Sequence, residues 1–422
     1  MAAVSLDLNN LDEKIILNDQ AIYPKLGQIA FKKLKELGIP NKKHEHWRYT
    51  DISEPIQLLE KSLSPSNQKS YKEKTNKDYK PGNIDAHWLN INGVDFGENK
   101  TIEIEGQPIQ INCLNEEQAI KELKINDPLG CLNALLAQKI IKITIPEDSV
   151  IEAPIGISCV ELPYSQKYCS NLRLIIDIKK NSKVSFIGFY ESNSDESHFS
   201  NVVMQINLAE NSDTEYLKIQ NLSETHNLID RSIVDLGPGS QINYTTVDIG
   251  AKLSRTDVEV NLNHEKSSAV INGVYLCEKN QHIDNHIWSN HISQSTSSTQ
   301  NFYGIIGEKG HCVFNGKALI KEKAFDTEAN QYNHNILLDD SASVDTKPEL
   351  EIYNDNVKCS HGCTIGQLDE DAIFYMKSRG VDSKTAKSML ISAFVKNILS
   401  KVNIETSREY LDELISSKLE KL

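Results

Sequence analysis

Four stretches, "NSKVSFIGFY", "NSDTEYLKIQ", "PGSQINYTTV" and "KSSAVINGVY", each place a polar turn with a serine just ahead of an alternating apolar–polar run. The serines, Ser182, Ser212, Ser240 and Ser268, lie 30, 28 and 28 residues apart. Alternation at period two is the mark of a half-buried strand. A fixed period of this size, built of strands alone, predicts a β-solenoid whose coils cover one another's apolar faces and need capping at the ends. The next similar turns are expected near Gly310 and Ala342, with looser spacing from an inserted half-turn. A two-sheet sandwich would use the same strands joined by long mixed loops; the regular period favours the solenoid.

The flanks differ in kind. In "LDEKIILNDQAIYPKLGQIAFKKLKELG", Ile22, Leu26, Ile29, Ala30, Leu34 and Leu37 recur at helical spacing, with a break near Pro24 and a stop at Gly38. Residues 64–83, rich in Ser, Lys, Asn and Pro, read as a surface linker. Short β-rich runs such as "KTIEIEGQPIQINCL" and a helix in "EEQAIKELK" follow. After Leu368, "DEDAIFYMKSRG" is acidic at its start and basic at its end, as a helix prefers. A second helix, capped by Asp382 or Ser383, is expected to present Ala386, Met389, Leu390, Ala393, Phe394 and Ile398 on one face, and a third begins at "TSREY". The organisation expected is a helical region over 1–62, a polar linker with a mixed segment over 63–138, a β core over 139–367 and a helical domain over 368–422.

A net charge of −14 and a pI near 5.4 argue against a nucleic-acid binder, which needs contiguous Lys and Arg. No apolar run approaches 18 residues, and the first twenty residues lack a secretory pattern, so no membrane partner and a cytoplasmic setting are expected. Eight scattered cysteines in such a chain read first as reduced core residues.

Chemistry concentrates in "KCSHGC". Cys359 and His361 share strand parity, so a thiol and an imidazole point to one side while Ser360 points away. Thiolate and imidazole suit zinc, iron or part of an iron–sulfur cluster, but "CxxC" is absent and the spacing alone leaves open a turn that closes a coil. A weaker metal candidate is the pair His282 and His286, which share parity; nearby His291 does not. There is no "GxxxxGK[ST]", "GxGxxG" or "GxSxG". A cytosolic β-solenoid carbohydrate-active enzyme and a stand-alone metal-binding module remain the alternatives on these residues.

The segments "GIPNKKHEHWRYTDIS", "DPLGCLNALLAQKIIKITIPEDSVIEAPIGI" and "PELEIYNDNVKCSHGCTIGQLDEDAIFYMKSRG" together resemble the SufB/SufD family of the Suf iron–sulfur cluster assembly system. The absence of a B-type "HEA" pattern favours the D branch. The resemblance implies a mainly β protein, with a central right-handed parallel β-helix between N- and C-terminal helical regions, acting as a non-enzymatic scaffold. It implies pairing with the B subunit, SufB, through the β-helices, binding of the SufC ATPase on the helical end, and a possible homodimer when isolated. No tightly bound cofactor is expected in the isolated chain, only transient iron or an iron–sulfur cluster in the complex. The family's motif histidine falls on His361, with Cys359 beside it. Cys363 stands where the family carries alanine, and a small buried thiol would fill that place. Phe374, Tyr375, Met376 and Arg379 are the candidate contacts for the ATPase, aromatic and arginine anchors of the kind interfaces use, unless Phe374 faces the local core.

Overall fold

A computed structural model describes residues 22–63, 84–90, 99–161, 169–192 and 196–419. The expected linker at 64–83 lies outside them. Alternation drives two sheets, whose strands are numbered along the chain. One, the odd sheet, stacks β1 (His87–Asn90), β5 (Ile155–Glu161), β7 (Lys183–Ser192), β9 (Asp213–Asn221), β11 (Gln241–Asp248), β13 (Ser268–Cys277), β15 (Ser297–Ile306), β17 (Thr327–Leu337) and β19 (Val357–Gly366), in that spatial order. The other, the even sheet, stacks β2 (Lys100–Ile104), β3 (Gln107–Cys113), β4 (Ile140–Ile145), β6 (Cys169–Ile178), β8 (His198–Leu208), β10 (His226–Leu236), β12 (Leu253–Leu262), β14 (His282–His291), β16 (His311–Ile320) and β18 (Ser343–Ile352). From β4 on, successive strands alternate between the sheets and pair in parallel with the strand two places on, which makes a parallel β-solenoid; β1 pairs in parallel with β5, and only β2–β3 and β3–β4 are antiparallel.

Each coil turns one corner on a residue with left-handed backbone: Asp148, Asn181, Asn211, Gly239, Lys266, Ser295 and Asp326, with φ between 54° and 63°. A buried hydroxyl residue follows each of them: Ser149, Ser182, Ser212, Ser240, Ser267, Thr296 and Thr327. The hydroxyl closes the turn from within, as where Ser212 Oγ donates to Ala209 O (2.7 Å) and Ser267 Oγ to His264 O (2.7 Å). The repeat expected from sequence is therefore real but misplaced at one point. Gln241 pairs with Ser268, so the equivalent of Ser240 is Ser267. Adjacent serines in "KSSAV" hide the register, and Lys266 takes a turn position that Asn, Asp, Gly or Ser fills elsewhere. Gly310 and Ala342 belong to the opposite corner, ahead of β16 and β18, and the pairing from β13 to β19 runs without an inserted half-turn.

Inward side chains from both sheets, among them Ile143, Ile176, Phe186, Met204, Val234, Ile271 and Phe302, form the main core. Within it Lys218 lies 2.9 Å from Asp230 and 3.4 Å from Asp248, all fully buried. Burial opposes the charge on Lys218, but the two carboxylates outweigh it and raise the ammonium pKa.

The helices cover opposite outer faces. Helix α1 (Pro24–Leu37) begins at Pro24, whose missing N–H costs nothing in a first turn, so the expected break is a helix start. It buries Leu26, Gly27, Ala30, Phe31 and Leu34, whereas Ile22, Ile29 and Leu37 are exposed, contrary to the expected face. With α2 (Ser53–Ser62), α3 (Glu116–Glu122) and α4 (Pro128–Leu135), it shares a cluster with Ile175, Phe199, Ile229 and Leu253 of the even sheet. Helix α5 (Glu370–Ser378) contacts α6 (Ser383–Leu399), and α6 and α7 (Glu405–Leu419) share a cluster with Ile187, Leu217, Ile219, Val247 and Ile305 of the odd sheet. Asp382 caps α6 by accepting from Thr385 N. The helix buries Ala386, Ile391, Val395, Ile398 and Leu399, while Met389 and Ala393 are exposed, so its packed stripe is turned from the expected one.

Candidate functional site at the open end of the solenoid

The last coil consists of β18 and β19, and no described strand pairs with the far side of either. Strand β19 contains the "KCSHGC" motif and continues through Gly362 to Gly366, so Cys359, His361 and Cys363 keep one parity. They stand above Ala329, Gln331 and Asn333 of β17, which are buried and point between the sheets. The three residues are thus inward positions with no coil above them. Cys359 is half-buried against Ala318, Ile320, Ala324 and Ala329, and burial pushes its thiol upward. His361 and Cys363 are exposed. The motif is a strand rather than a closing turn, and Cys363 is not the buried alanine substitute expected. Ser360 points out, donating to Asn330 Oδ1 (2.6 Å).

Sequence reasoning missed the floor of this site. Tyr275 Oη donates to Asn335 Oδ1 (2.5 Å), Asn333 Nδ2 to Tyr275 Oη (2.9 Å), and Asn335 Nδ2 to Asn333 Oδ1 (2.7 Å) and Thr364 O (3.4 Å). Gly304 makes room for this: a Cβ there would lie 2.2 Å from the Tyr275 ring and 2.4 Å from Asn335. The available signal was amides at inward positions of alternating strands, where apolar residues are the rule.

His282 and His286 do not join this site. They lie on the outer face of the even sheet beneath residues 44–50, where both nitrogens of His282 and Nε2 of His286 are engaged. His282 Nε2 is 2.8 Å from Thr50 Oγ1, which donates to Asp284 Oδ2 (2.5 Å); His286 Nε2 is 2.9 Å from Asp284 Oδ1. Arg255 donates to Asp284 Oδ2 (2.8 Å) and to His46 O (2.7 Å), and lies over the Trp47 ring at 3.7 Å. Burial pushes the Asp284 carboxyl upward, but His286 and Arg255 outweigh it and hold it well below the usual range. Among the described residues, no three His, Cys, Asp or Glu side chains converge as a metal site.

At the helical end, Phe374 is 72% and Tyr375 59% exposed, so Phe374 does not face the local core; Ile373 does. Met376 is half-buried. Arg379 lies over the Tyr375 ring at 5.4 Å and donates to its hydroxyl (3.1 Å).

These features define a class: a two-sheet parallel solenoid with helices on both outer faces and a Cys/His strand at one uncapped end. Residues 164–394 match the family described as SUF system FeS cluster assembly, SufBD core domain, and the chain belongs to that family. It is 25% identical to the iron–sulfur cluster assembly protein SufD of Escherichia coli K12 over 402 residues, covering 93% of this chain and 92% of that one. It is 27% identical to the SufBD family protein slr0076 of Synechocystis (98% and 96% covered), and 26% to the chloroplastic protein ABCI7 of Arabidopsis thaliana (86% and 79%). Among the described residues no helix is long and apolar enough to cross a membrane.

Proposed function

We propose that the chain is a non-catalytic scaffold subunit of a Suf assembly complex, on which iron enters and an iron–sulfur cluster is built as cargo. The observation that carries this reading is the uncapped last coil. Two ten-residue edge strands leave a row of backbone groups for a sister solenoid to extend, and strand addition supplies affinity through those groups. The sister would be SufB, and in its absence a second copy of this chain. Pairing there would bring His361 to the seam, with Cys359 just inside it, where imidazole and thiol can hold iron or meet sulfide. Phe374, Tyr375, Met376 and Arg379 would receive the SufC ATPase on the helical margin.

Co-expression with SufB and SufC tests the reading. All three should purify together, and iron and sulfide should be found on the complex but not on the chain alone. His361→Ala should leave the complex assembled while cluster formation fails. An isolated chain that neither pairs nor recruits either protein would end the proposal.

A further inference from the structure

Histidines of neighbouring coils form a chain on the outer face of the even sheet, and its last member reaches the open edge. His282 Nδ1 lies 3.0 Å from His311 Nδ1, and His311 Nε2 lies 2.8 Å from Asp345 Oδ2 on β18. The donation from Thr50 to Asp284 sets the direction of the other bonds. Thr50 has one hydroxyl proton and gives it to Asp284, so its oxygen accepts from His282 Nε2–H. Burial pushes the His282 imidazole down to about 4, so it is neutral near pH 7 and its Nδ1 is an acceptor. His311 must therefore donate from Nδ1. Its Nε2 faces a carboxylate, which also accepts, so the chain is complete only when the His311–Asp345 pair holds a second proton. Without that proton, and with Thr50 still donating to Asp284, the Nε2 lone pair faces the carboxylate and the last bond is lost.

We propose that His311 and Asp345 form a proton-dependent clamp that fastens edge strand β18, through His282 and Thr50, to the N-terminal segment. A second tie is weaker and exposed: Lys347 of β18 meets Glu45 at 2.8 Å. The charged groups nearest the clamp are Asp284 on β14 and Arg255 on β12, which act on His282, and Lys347, two residues from Asp345 on β18. From the N-terminal segment come Lys42, Glu45, His46 and Asp51. Loss of that second proton as pH rises should therefore loosen the edge. Its consequence for pairing rests on the mating-edge reading above; the clamp itself does not.

The test uses the full chain labelled with ¹⁵N-histidine. When the edge is held, long-range ¹⁵N–¹H correlations should show both His311 nitrogens protonated and His282 protonated at Nε2 alone. Amide exchange in residues 343–352, corrected for intrinsic rates, should become about tenfold faster as pH rises toward 8, the worth of one charge-assisted bond. Asp345→Asn or His311→Gln should abolish that pH dependence. An unprotonated Nε2 on His311 throughout, or an unchanged exchange profile in Asp345→Asn, overturns the clamp. SufB pull-downs across the same range are separate: no pairing at any pH argues against the mating edge while leaving the clamp intact.

Discussion

The two ends of the solenoid are finished in different ways. At the N-terminal end, among the described residues, the odd sheet stops at β1, four residues long, and the even sheet stops at β2, five residues long and reached through an antiparallel turn of the chain. Short edges, with Lys100 and Glu103 on β2, discourage further pairing. At the C-terminal end both edges are ten residues long and parallel to the stack, and inward positions that hold Ile143 or Ile157 at the first end hold Cys359, His361 and Cys363 at the last. One end completes a core and the other leaves it unfinished. That difference teaches where stability and function have been separated.

The separation breaks most visibly under truncation. Ile143→Ala, in the closed half of the core, should cost about 2–5 kcal/mol by chemical denaturation. Ile365→Ala, exposed on β19, should stay within about 0.5 kcal/mol yet weaken pairing with SufB. Equal losses at the two sites would mean that the open end is part of the folding core.

An acid titration sharpens the contrast next. His291 is fully buried, with Thr296 Oγ1 and Ser298 Oγ each 2.8 Å from a ring nitrogen, and burial pushes it down to about 4. Its folded value is depressed, so the unfolded chain binds the proton first. Stability is intact above the ordinary histidine value of about 6.5 and is lost progressively as pH falls to about 4, by about 2–3 kcal/mol from this residue. His291→Gln should flatten that part of the stability curve, as read by urea midpoints at pH 7 and pH 4.5.

Much of this organisation was legible in the sequence because it follows from local rules. Period-two alternation and serine-led turns disclose the coils, and parity alone places Cys359 and His361 on one side with Ser360 opposite. What escaped depends on long-range register. The slip from Ser267 to Ser268 could be seen only through pairing with Gln241, and the stripe on α6 turned because the sheet it packs on selects Ile391 and Val395 over Met389. Lys218 meets Asp230 and Asp248 from three different strands, and Thr50 meets His282 across most of the chain; no local pattern joins such residues. Cys363 was misjudged because an inward parity implies burial only where another coil follows.

Substitution of the exposed recognition residues should produce the smallest effects on the fold. Phe374→Ala and His361→Ala each remove a side chain that water already surrounds, so denaturation midpoints should move by less than about 0.5 kcal/mol. Their consequences should divide by partner. Phe374→Ala should lower retention of SufC at least about tenfold if it is an aromatic anchor worth about 2 kcal/mol, without affecting pairing with SufB. His361→Ala should retain both proteins and lose cluster formation. If Phe374→Ala also released SufB, the helical end and the open seam would be energetically one surface, since sites that share no partners should act additively.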